Sequence, residues 1–440
     1  MALLSPNQVV QSQTGQPCKV DKFLGGGGQG EVYKAQWGGH DVALKWYNEQ
    51  CATSDQKAAL EALIRAGTPT DKFLWPEDLA SAIGVPGFGY IMKLRPPEYK
   101  GLDSLMAGRI EPPARVLITA GFELTKAFRD LHTKGLCYRD ISFGNAFFDP
   151  TTGAVLICDN DNVAQNRTAK SGVAGTPDFM APEIVRMEAK PSTSTDMHSL
   201  AVLLFYLLSF GHPLLGKRIL KTRCWDGPAR EKMFGKEPLF IFDPNDDSNA
   251  AVDLSVDPTG EAGALPKLYW AMYPSFLKKT FIKAFTTGLH NPNERVTELE
   301  WQRALVALRD SLFYCACGKA NYYDLDVVQA GGRSKKCWYC PNDPQLPFRI
   351  RIGKSIVMLN AETKLFSHHI NDDFVFSTPV AEVIRHPTDR NIWGLKNLGT
   401  VKWSTGAPDG TMKDVEPGKS VPLVANTKIH FGMVDGVIRY

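Results

Sequence analysis

Asp140 and Asn145 stand five positions apart in "GLCYRDISFGNAFF", residues 135 to 148, a segment otherwise mostly apolar or small. A carboxylate and an amide on a loop bounded by buried residues suit a general base and a metal ligand, and neighbouring Arg139 suits an anionic partner. Upstream, "GGGGQGEV" sets Gly25, Gly27, Gly30 and Val32 in the spacing G-x-G-x-x-G-x-V. Backbone without side chains can close over phosphates and offer N–H donors. Alone, the run suits a plain flexible hairpin equally well. Here it links two strands and does not open a helix, which fits a phosphate-covering flap better than a dinucleotide fingerprint. "VALK" then ends in Lys45. A strand lysine is ordinarily solvated, but Val42, Ala43 and Leu44 argue for an interior one, and a buried ammonium needs an anionic partner. Glu61, on the helix that follows, is the expected partner, and the pair would aim the ammonium at a polyphosphate.

A second constellation lies far downstream. Cys315, Cys317, Cys337 and Cys340 follow C-x-C-x19-C-x-x-C around a glycine-containing stretch. Two close thiol pairs of this kind converge as a closed, structural zinc site. Disulfides are the alternative and are disfavoured in a reducing compartment. Cys18, Cys51, Cys137, Cys158 and Cys224 are scattered and read as inert thiols.

These residues need elements to carry them. Residues 18 to 47 read as strand, glycine turn, strand, turn, strand. "SDQKAALEALIRAG" reads as a helix with Ser54 as N-cap, Leu60, Leu63 and Ile64 on one face, and Gly67 at its end. From about Ala114 to Leu312 the apolar spacing is mainly helical, and beyond Pro341 short β-rich runs are broken by turn residues. The expected architecture is therefore α+β: a strand-rich lobe (18–95), a helical lobe (96–312), a ribbon (313–343) and a small all-β sandwich (346–440). A chain of 440 residues suits such a division. With 50 Lys plus Arg against 47 Asp plus Glu, the net +3 gives no basic field of the kind that marks a nucleic-acid partner. No membrane partner is expected either. The N-terminal stretch has no charged start and no long apolar core, and "SLAVLLFYLLSF", Ser199 to Phe210, falls short of a span and reads as a buried helix. The cytoplasm is the expected compartment.

With these parts in order, residues 20 to 312 resemble the eukaryotic-type serine/threonine protein kinases. The resemblance implies a bilobal fold, ATP and magnesium or manganese as cofactors, and a protein substrate. "YRDISFGN" is similar to the catalytic loop H-R-D-x-x-x-x-N, which would make Asp140 the base and Asn145 a magnesium ligand. "ICDNDNVA" sits where D-F-G belongs, which would put Asp159 on the metal, with Asn160 and Asp161 replacing Phe and Gly. Asp161 is then expected to reach a second ion or to face solvent, and its loss to cost little. "APE" at Ala181, Pro182 and Glu183 would pair with Arg295, and Asp196 would tie down the catalytic loop. Gly25, Gly27, Gly30, Val32, Ala43, Met92 and Leu94 would surround the nucleotide, with Met92 behind the adenine and Leu94 in the hinge. Thr168 and Ser171 are the expected phosphorylated partners of Arg139, and Thr176 reads as structural. Tyr138 for His and Ser142 for Lys are further departures, so a nucleotide-binding pseudokinase scaffold is the alternative. Residues 346 to 440 resemble forkhead-associated domains but lack the Gly-Arg, Ser-x-x-His and Asn-Gly of phosphothreonine readers. The domain order resembles the kinase of the bacterial tellurium-resistance-associated phosphorylation triad. That implies a metal-dependent phosphatase and a von Willebrand factor A-type protein as partners in stress signalling.

Overall fold

The computed structural model describes residues 3–166, 175–331, 336–371, 373–406 and 411–440. The chain divides into two compact units, Met1–Lys267 with Phe281–Gln302, and Leu268–Thr280 with Arg303–Tyr440. Helix and sheet are mixed throughout, so the class is α+β.

The first unit opens with six antiparallel strands: β1 (Val9–Ser12), β2 (Pro17–Gly26), β3 (Gly30–Trp37), β4 (His40–Tyr47), β5 (Pro76–Ser81) and β6 (Gly89–Lys93). Their order is β1-β2-β3-β4-β6-β5, and pairing of β1 with β5 closes them into a barrel. The alternation of side chains along a strand divides β4 into two faces. Val42, Leu44 and Trp46 fill the barrel core with Val10, Val20 and Ile91. Ala43 and Tyr47 join Leu60, Leu79, Tyr90 and Met92 in a second cluster, and Lys45 lies between them on that same face. The helix α1 (Ser54–Ala66) buries Leu60 in this cluster, with Leu63 also buried, and it ends at Gly67, whose φ of 70° suits a residue without a Cβ. Its N-cap is Thr53, one residue before the expected Ser54, because the Thr53 hydroxyl reaches the Gln56 amide.

Two helices dominate the rest of this unit. Ala114–Thr133 presents an apolar stripe from Val116 to Leu131. Thr193–Ser209 is buried along most of its length, with Ser192 and Thr195 forming a capping box. Among the described residues no helix is long and apolar enough to cross a membrane. The strands Ala146–Phe148 and Val155–Ile157 pair as a short hairpin, turned by Asp149, whose carboxylate accepts from Thr151 and Thr152. This hairpin sets the spacing between Asn145 and Asp159.

The second unit contains the hairpin Leu312–Tyr314 with Ala320–Tyr322, and two antiparallel sheets of six and four strands. Residues from both sheets, among them Ile350, Leu365, Val383, Leu395, Trp403 and Ile429, form one buried cluster.

Candidate active site

Lys45 is 4% exposed, so its charge must be met by the protein. Its ammonium lies 2.9 and 3.2 Å from the two oxygens of Asp161, 3.4 Å from Asp159 and 3.2 Å from the Gln29 amide oxygen. The expected partner, Glu61, forms no ion pair with it. Nor does Asp161 face solvent: it is 2% exposed and also accepts the hydroxyls of Tyr47 and Tyr90. The reason is geometric. Tyr47 lies two residues along β4 on the Lys45 face, and Tyr90 sits opposite Lys45 in the β4–β6 register, so the strands themselves frame a carboxylate pocket. Burial acts against the Lys45 charge, but Asp161 and Asp159 outweigh it and hold its pKa above the ordinary lysine value. Asp159 is pushed up from the ordinary carboxylate value by burial, against the pull of Lys45.

Asp140 and Asn145 come together as expected. The Asn145 amide nitrogen donates to the Asp140 carboxylate at 3.1 Å and to its carbonyl at 2.9 Å, which fixes the amide with its oxygen as the ligand-capable atom. The other Asp140 oxygen accepts both the backbone N–H and the hydroxyl of Thr176, each at 2.8 Å. The loop is tied down by the buried Asp196, which accepts the backbone N–H groups of Tyr138 at 2.5 Å and Arg139 at 2.9 Å. His132 stands between Asp196 and Glu298. Burial lowers its pKa, the two carboxylates more than reverse this, and the result is about 9. Arg295 grips Glu183 through two bonds of 2.8 Å.

The hairpin then delivers Asp159, because Cys158 donates its backbone N–H to the Asn145 carbonyl at 3.0 Å. Arg139 and Asp159 are both left-handed, at φ 75° and 51°, which costs about 1–3 kcal/mol for residues with a Cβ and persists only where contacts impose it. Asn160, in place of the expected Phe, is fully buried and donates to the carbonyls of Leu74 and Ile157, so hydrogen bonds replace an apolar plug. Tyr138 donates its hydroxyl to the Cys158 carbonyl and packs on Phe128, a supporting role. Arg139 reaches the Asn162 carbonyl, while Thr168 and Ser171 lie outside the described residues.

A cleft of about 630 Å³ adjoins these groups, with Gly25, Val32, Ala43, Met92, Leu94 and Asp159 in its lining. The glycines of the flap differ in what they require. A Cβ on Gly30 would collide with the Trp46 carbonyl, whereas Gly25, Gly27 and Gly28 have nothing within 4 Å of that position. Gly30 is therefore needed by the fold. The space above the others is open for a ligand.

In the second unit, the four expected cysteines converge, their sulfurs all within 4.8 Å of one another. Cys315 and Cys340 are 3.7 Å apart, as are Cys317 and Cys337. A disulfide needs about 2.05 Å. A tetrahedral ion with bonds of about 2.3 Å spaces its sulfurs by about 3.8 Å, so the donor set fits zinc. Asp310, His368 and His369 also approach one another. His369, however, accepts the Phe366 N–H at Nδ1 and gives its Nε2 proton to Asp310, which leaves the neutral ring no lone pair for a metal.

Comparison with known proteins agrees with the geometry. Residues 101–246 match the family model of the protein kinase domain. A DNA damage-responsive serine/threonine-protein kinase of Deinococcus radiodurans is 31% identical over 208 residues, 44% of this chain and 30% of that protein. Mitogen-activated protein kinase kinase kinase 10 of Homo sapiens is 26% identical over 208 residues, 43% of this chain and 21% of that protein. The chain thus spans less than a third of these relatives' length. The matched residues 101–246 fall within the first unit, which is thus similar in sequence to protein kinase domains.

Sequence reasoning missed Asp161 as the holder of Lys45, together with Tyr47, Tyr90 and the His132–Glu298 pair. The strand period pointed to Tyr47. Nothing in the spacing pointed to Glu298, 166 residues from His132.

Proposed function

We propose that this chain is a serine/threonine protein kinase that transfers the γ-phosphoryl group of ATP to a protein hydroxyl. The observation that carries the reading is one continuous path of contacts: Asp140 to Asn145, Asn145 to the strand end that bears Asp159, and Asp159 to Lys45, beside a cleft large enough for a nucleotide. In this reading Asp140 orients the substrate hydroxyl and takes its proton, and Lys45 lays positive charge against the phosphates. Val32, Ala43, Met92 and Leu94 line the adenine site. Asn145 and Asp159 would hold magnesium, which neutralises charge on the transferring group. Catalysis then depends on positioning and charge, which the buried carboxylates maintain. Incubating the purified chain with radiolabelled ATP and magnesium, alone and with a generic protein substrate, tests this directly. Label on protein is expected, and ATP binding without any transfer would favour the scaffold alternative.

Zinc on the four cysteines is part of the same proposal, supported by their 3.7 Å spacings. So is a forkhead-associated-like role for the two-sheet module as a docking element without phosphothreonine reading. Ser367 is bonded to Asp373, and Asn397 is buried with its amide spent on the carbonyls of Val401 and Val415, so neither is offered to a phosphate. A cytoplasmic place in a bacterial phosphorylation system with a phosphatase and a von Willebrand factor A-type partner rests on domain order alone.

A further inference from the structure

We propose that Asp161, rather than a residue of α1, is the positioning residue that holds Lys45 for phosphoryl transfer, so that one short turn fixes both the lysine and the metal-side Asp159. The transfer step rests on the kinase reading above, while the pairing stands on geometry alone.

Asp161 belongs to the 3-10 turn Asn160–Asn162, which follows Asp159 directly. Its carboxylate receives the Lys45 ammonium on both oxygens and the hydroxyls of Tyr47 and Tyr90, a nearly complete set of donors for a buried anion. Lys45, Tyr47 and Tyr90 all come from adjoining strands of the barrel, so the pocket is built by β4 and β6 and needs no helix to close it. The turn is held from its other side by Asn160, whose amide is pinned to Leu74 and Ile157. The α1 helix reaches this pocket through a neutral side chain: Gln56 donates to the Tyr47 hydroxyl at 3.0 Å, and Tyr47 donates to Asp161. A displacement of α1 would therefore loosen one tyrosine without releasing Lys45. In this design the lysine is set by the same segment that presents Asp159, and the two cannot be misaligned separately.

The test is a double-mutant cycle read by urea unfolding and by phosphotransfer on the full chain. Lys45→Met strands a buried carboxylate and is expected to lower the unfolding midpoint. Adding Asp161→Asn should restore most of that loss, because a buried charge without a partner costs more than the absence of both. Glu61→Gln in the same Lys45→Met background should restore nothing. Asp161→Asn alone is expected to lower kcat at saturating ATP by about 100-fold. The double variant should be no slower than Lys45→Met. Restoration by Glu61→Gln, or losses from Lys45→Met and Asp161→Asn that simply add, would overturn the proposal. If the native chain transfers no phosphate at all, the kinase reading falls, and the unfolding cycle still decides whether Asp161 holds Lys45.

Discussion

Two buried aspartates, Asp161 on the 3-10 turn that meets the barrel strands and Asp196 on the Thr193–Ser209 helix, each position a group of the candidate active site, and they do so in different ways. Asp161 faces a side-chain charge, Lys45, with tyrosine hydroxyls filling its other positions. Asp196 faces the backbone N–H groups of Tyr138 and Arg139, in the loop that carries Asp140, and is backed by a histidine that shares its proton with Glu298. The first arrangement is a charge pair that stands or falls with one partner. The second distributes the load over main chain and a three-member side-chain relay, so the loop keeps its shape when one side-chain member is neutral. A site can thus be held by charge where a single cation must be aimed, and by backbone hydrogen bonds where a loop must be shaped.

The largest expected effect separates the groups that these aspartates serve. Asp140→Asn should abolish phosphotransfer, with nucleotide affinity and thermal midpoint close to native, whereas Lys45→Met should cut transfer to a small residual rate and also destabilise the fold. Calorimetric binding of ATP with a melting curve on each variant checks this, and an unchanged midpoint in Lys45→Met would break the contrast. Asp159→Ala should likewise end metal-dependent transfer. Next comes an anchor of a third kind: Cys337→Ser should bring bound zinc toward zero and destabilise the C-terminal half, since structural zinc contributes directly to folding. Elemental analysis after gel filtration reads it, and stoichiometric zinc would exclude a four-thiolate site.

A smaller effect probes the relay behind Asp196. The His132 pKa stands near 9 in the fold and about 6.5 in an unfolded chain, so its contribution is fully present below about pH 6.5 and is lost as pH rises through 9. His132→Gln should therefore cost about 2–4 kcal/mol at pH 6, and the gap to the native chain should narrow by pH 9.5. A constant gap across urea titrations at both pH values would remove His132 as the charged member. The smallest is Tyr47→Phe, which deletes one of the two hydroxyl donors to Asp161 and should cost about 1 kcal/mol in the same titration.

Legibility in the sequence followed the range of the interactions. The α1 helix, the buried Thr193–Ser209 helix and the cysteine centre were readable because local pattern or side-chain chemistry determines them. That Asp140 and Asn145 share one loop was readable from a spacing of five, while the hydrogen bond between them was not. The partner of Lys45 was not, because Glu61 lies 16 residues away on the adjacent helix and Asp161 lies 116 residues away. Proximity in the chain favoured the wrong carboxylate, and only the strand register that sets Tyr90 against Lys45 builds the right pocket. Asp161 in the place of the glycine of a D-F-G-like segment reads as a loss from sequence alone. In the fold it supplies a buried anion.

The closure of the six strands by β1 bears on association between molecules. Only three residue pairs join β1 to β2 and two join it to β5. Yet those few rungs turn two sheet edges into interior seams, so the barrel leaves no row of unpaired N–H and C=O groups for another chain to extend. A chain beginning after Ser12 would keep every group of the candidate site and expose both edges, with its solubility, before its catalysis, as the property most at risk.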